Sequence, residues 1–130
     1  MNTAAPTSTE IAERCKTLGF LAKQLYVIFT TPTSGIARVM ENLEQHLDYQ
    51  QLLERRGVMF AAGPHWTDDE QHWEGDGMVV VRARSMAEAE TTPKKIQCTL
   101  VAHAAIGCDP GWSMKARSPS NLILPVAGSN

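Results

Sequence analysis

The residue best suited to chemistry is His46, inside the segment IARVMENLEQHLDYQQLLERRG at 36–57. Imidazole is the side chain whose ordinary pKa lies nearest neutral pH, so it can take or return a proton under working conditions. At ~100° per residue, Ile36, Val39, Met40, Leu43 and Leu47 fall in one narrow sector, with His46 and Leu53 beside it. A histidine at the edge of an apolar stripe meets packed side chains on one flank and a cavity on the other. The chemistry such a group performs is proton abstraction from a phenolic or enolic substrate. A structural or surface histidine is the plainer reading of that spacing. A second polar group, His65, Asp68, Asp69, Glu70, His72, Glu74 and Asp76, lies in one loop. It lacks zinc-like ligand spacing and a thiolate, so it reads as a solvated hairpin loop and no metal is expected. Trp66 and Trp73 lie within that loop and could line a pocket mouth or a dimer contact.

The elements that would position these residues can be read in order. Residues 1–10 look disordered, and a short helix is expected around Ile11 to Leu18. LYVIFTT (25–31) is β-branched and aromatic, a strand. The long helix follows, started by Pro32 with Thr33 or Ser34 and stopped at Arg55, Arg56 and Gly57. VMFAA (58–62) is a second strand closed by a Gly63-Pro64 turn, and MVVVRAR (78–84) a third. Ser85 and Glu88 supply a capping box for a second helix, which Pro93 should break. The order β-α-β-β-α, with a closing strand, predicts an α+β ferredoxin-like split arrangement. Val27 and Phe29 oppose Tyr26 and Ile28, so both sheet faces are apolar, and two helices cover only one. A homodimer is therefore expected.

At 130 residues with net charge −2, the chain suits one domain and gives no electrostatic footprint for nucleic acid. No apolar run reaches membrane length, and the first 24 residues lack a secretion signal, so the protein reads as cytoplasmic. Cys15, Cys98 and Cys108 are expected as reduced thiols.

LYVIF, HLDYQQLLERRG, MFAAGP, the acidic TDD and GMVVVRARSMAEAE, in that order and spacing, resemble the YCII-related family over about residues 25–90. The resemblance implies a dimeric α/β barrel similar to muconolactone isomerase. It also implies a His–Asp pair, the histidine matching His46 and the aspartate belonging to a D-P dipeptide after the second helix. In that setting the Gly63-Pro64 backbone helps floor a pocket; Phe60, Gly63, Pro64 and Trp66 are the expected contacts of a small-molecule substrate, and no cofactor is expected. One activity in the family removes chloride from a chlorinated hydroxyhydroquinone. The expected function is accordingly a small enzyme of aromatic catabolism with His46 as general base. A muconolactone-type isomerase and a non-catalytic ligand-binding dimer are the alternatives.

After Glu90 the pattern is lost. Of the 14 acidic residues only Asp109 follows, and its CDPGW setting does not match the family's aspartate. Residues 91–130 are thus an atypical tail, and they fit a product read out of frame. Lys94 to Cys98 can be encoded AAG AAG ATC CAA TGC, which in the shifted frame spells E-D-P-M. Further on, the same frame permits a V-R-P-W strand. If the tail is genuine instead, 96–107 is expected to form the last strand.

Overall fold

The computed structural model describes residues 4–92 and the backbone of 112–122. Helix α1 spans Ser8–Thr17. It starts earlier than expected, because Thr7 and Glu10 form a reciprocal capping box that satisfies two backbone donors. Strand β1 (Lys23–Pro32), helix α2 (Ile36–Arg55), strands β2 (Met59–Trp66) and β3 (Trp73–Val81), helix α3 (86–92) and strand β4 (Trp112–Leu122) follow.

The sheet order is β2-β3-β1-β4 with every neighbouring pair antiparallel. That is the ferredoxin-like split β-α-β-β-α-β order, in which each helix connects strands lying two apart. The stretch 96–107 lies outside the described residues, and the edge position beside β1 is taken by 112–122.

The main core lies between the helices and one sheet face. Tyr26, Ile28, Val79 and Val81 meet Val39 and Leu53 of α2 and Ala89 of α3. Leu25, Val27 and Val80 form a separate buried cluster from the alternate strand positions. The second face is therefore covered in part within one chain, while Phe29 and Met78 further along remain 38% exposed.

Three local expectations are corrected. Helix α2 is capped by Gly35 at φ 81° with no side-chain bond, so neither Thr33 nor Ser34 caps it. Its end follows expectation: Gly57 takes φ 71°, and the Gly57 and Val58 amides bond back to Glu54 and Leu53. Gly63-Pro64 is no turn, because β2 runs through it and pairs Gly63 with Met78 and Pro64 with Gly77. Proline is tolerated there since β2 is an edge strand and the missing N–H breaks no ladder bond.

The third correction concerns the stripe of α2. Val39, His46 and Leu53 form the buried line, seven residues apart, whereas Ile36, Met40 and Leu47 are 42%, 53% and 46% exposed. His46 sits in the middle of the packed face, not at its edge. The apolar count favoured one sector, but the chain sets α2 down on the neighbouring one.

Gly77 fixes how closely the strands and the site approach. A Cβ there would lie 2.8 Å from the Gly63 carbonyl oxygen and 3.3 Å from Thr30 Oγ1. Gly63 faces open space by the same test. Gly77→Ala should destabilise the fold by about 1–3 kcal/mol in urea unfolding, as overpacking does. Gly63→Ala should change it by no more than about 0.5 kcal/mol.

Candidate functional site

Helix α2 crosses the sheet where β1, β2 and β3 come together, and a cavity of about 340 Å³ opens between them. Leu43, His46, Leu47 and Gln50 line it from α2; Thr30 comes from β1; Ala62, Gly63, Pro64 and Trp66 from β2. Strand β3 contributes Trp73 and the run from Gly75 to Val79. Gly77 is what keeps this floor low, because a side chain there would rise on the α2 face, beside Thr30 and Val79.

Polar groups are few. Thr30 is buried, and His46 is only 8% exposed with its Nδ1 edge out of solvent. Burial holds the His46 pKa below the ordinary 6.5, since the charged ring would lose its hydration. The neutral imidazole is therefore the resting form at neutral pH. Gln50, one helical turn on, brings its side-chain nitrogen to 2.8 Å from His46 Nε2. With the amide N–H turned toward the ring, as here, Nε2 is the acceptor, an arrangement that suits the neutral tautomer with its proton on Nδ1.

The two tryptophans face each other across the β2–β3 hairpin. Trp73 is fixed, its indole N–H donating to the Asp76 carbonyl at 2.7 Å. Trp66 is 60% exposed and stands at the rim. A fixed indole, an exposed rim ring and a mostly aliphatic wall suit a flat, weakly polar ligand.

Of the residues expected to contact a substrate, the fold brings Gly63, Pro64 and Trp66 together with His46. Phe60 is not among the described lining residues. Its ring lies 5.1 Å from the Arg82 guanidinium, which also donates to the carbonyls of Gly57 and Met59. Sequence reasoning missed Gln50 and Thr30. Gln50 carries a legible signal, the i,i+4 spacing from His46. Thr30 carries none, because only the register that sets it opposite Gly77 brings it here.

The polar loop is organised by itself. Thr67 Oγ1 donates to Asp69 Oδ1 at 2.6 Å, and the Gln71 amide donates to the same oxygen at 3.1 Å. Among the described residues, no group of three or more His, Cys, Asp or Glu could hold a metal ion. No helix among them is long and apolar enough to cross a membrane. Cys15 is a buried free thiol; Cys98, Cys108 and Asp109 lie outside the described residues.

The YCII-related domain matches residues 24–99, more than half of the chain. The protein belongs to the YCII-related family. The match runs past Glu90, where the readable motifs end, into the first part of the tail. No curated protein and no solved structure matches the chain.

The lowered His46 pKa has a consequence for stability. Between that value and 6.5 the unfolded chain binds more protons than the folded one, so stability rises with pH through this window. It is fully present above about pH 6.5 and is lost as the pH falls through the folded value. Urea unfolding at about pH 7.5 and 5.5 should show this loss in the wild type and a smaller one in His46→Leu. Equal losses in the two would contradict the burial argument.

Proposed function

We propose that this YCII-related protein is a small cofactor-independent enzyme of aromatic catabolism, acting on a hydroxylated, chlorinated ring. The observation that carries the reading is a neutral imidazole in the wall of a small apolar cavity rimmed by tryptophan. The family adds the precedent for acid–base chemistry on such rings. In the dehydrochlorination we favour, His46 removes a hydroxyl proton from the keto tautomer of the ring. The electron pair moves inward and expels chloride, so the products are a quinone, chloride and one proton. A muconolactone-type isomerase would move a proton by the same residue without releasing chloride.

The direct test is chloride release from a chlorinated hydroxyhydroquinone. His46→Ala should lower kcat/KM by about 10²–10⁴-fold, the usual contribution of a positioned general base. Because the base works in its neutral form, activity should hold down to about pH 6.5 and fall only as the pH passes through the lowered His46 value. No turnover by the wild type, with ligand binding intact in His46→Ala, would leave a binding module instead.

We further infer that two copies associate through the sheet face carrying Phe29 and Met78, each 38% exposed. Light scattering after size exclusion should give a dimer for the wild type and a monomer for Met78→Glu. A wild-type monomer would contradict this.

The aspartate partner of the family's histidine has no counterpart at the expected place in the chain as written. We infer a lost base near Thr92, and a fresh DNA sequence across codons 88–98 should show one more base there. A DNA sequence agreeing with the chain would make the tail genuine and the enzyme dependent on His46 without that partner.

A further inference from the structure

We propose that Gln50 is a positioning residue for His46: its amide fixes which ring nitrogen faces the cavity as an acceptor, and it yields that nitrogen to a ligand hydroxyl. The inference deepens the acid–base reading above and rests on it.

The geometry is local and specific. Gln50 and His46 project from successive turns of α2, their side-chain nitrogens are 2.8 Å apart, and both line the cavity. Gln50 is half-buried, so its amide can swing toward solvent without crossing the core. Among the described lining residues, Asp76 on β3 is the other ionisable group, while Thr30 and Gln50 are neutral. An amide cannot supply the negative charge that would stabilise an imidazolium. It can only keep the ring neutral and Nε2 free of its own proton.

That assignment selects ligands. Once Gln50 turns aside, Nε2 still needs a donor, and a ring bearing O–H provides one. An ether of the same shape, or a quinone, offers only acceptors and leaves the nitrogen unmatched, which costs binding. The substrate class is therefore a hydroxyl-bearing ring, and a product that has lost that proton should leave readily.

Nitrogen-15 NMR of the imidazole tests this without substrate. In the wild type above about pH 6.5, Nε2 should show the shift of an unprotonated nitrogen. Gln50→Leu should relax the preference. Gln50→Glu should move the proton to Nε2, because a carboxylate only accepts, and raise the His46 pKa by about one unit or more. Tryptophan fluorescence should report hydroquinone binding at least about tenfold tighter than 1,4-dimethoxybenzene in the wild type. A protonated Nε2 in the wild type, variants with unchanged tautomer and titration, or equal affinity for the two rings would each overturn the proposal. The NMR result is independent of turnover, so a failure of chloride release does not touch it.

Discussion

One imidazole packed into an apolar helix–sheet interface sets the terms for the rest of the molecule. His46 occupies the middle of the line from Val39 to Leu53, where a leucine would satisfy packing alone. A charged ring there would forfeit its hydration, so the interface admits it in the neutral form and pushes its pKa down. The polar edge it retains is met by Gln50 from the same helix. Beside it lies the cavity, whose floor is kept open by the glycine at 77. Strands can approach closely at Gly77 and still leave no side chain beneath the imidazole. Packing, protonation and access thus hang on His46 and Gln50 of α2 and Gly77 of β3.

Much of this could be read in the chain. LYVIFTT, the amphipathic run after Pro32, and MVVVRAR gave elements whose order alone implied the split fold, and the strand order bears it out. Gly57 announced the helix end correctly because its left-handed conformation is a local matter. Periodicity misjudged which sector of α2 is buried. It counts apolar residues, and Ile36, Met40 and Leu47 outvoted a histidine, whereas the sheet accepts the sector that fits Tyr26, Ile28 and Val79. Gly63-Pro64 looked like a turn because the dipeptide usually is one. That an edge strand tolerates it is a fact about the sheet, invisible until the strand order is known. Thr7 and Glu10 formed a legible capping box that composition-based reading of the first ten residues passed over.

The tail is where sequence and fold pull apart. Motif reading ends at Glu90, the family match continues to 99, and the chain as written supplies an edge strand at Trp112–Leu122 antiparallel to β1. A sheet edge accepts many sequences, since backbone bonds carry the pairing, so this strand says little about side-chain chemistry. The family's aspartate is a different matter, because a carboxylate beside the imidazole would stabilise its charged form. Within the described residues His46 has an amide on Nε2, a partner that favours neutrality. The two arrangements predict different acid–base behaviour, and the imidazole is where they can be told apart.

The measurement that reaches the central claim most directly is a crystal structure of the protein soaked with hydroquinone. The account predicts the ring inside the α2–sheet cavity, over Gly77 and beside Trp73. One hydroxyl oxygen should lie about 2.7–2.9 Å from His46 Nε2, with the Gln50 amide turned away. A ring bound elsewhere, or a cavity that stays closed with Gln50 still on His46, would contradict the claim that this imidazole is the working group.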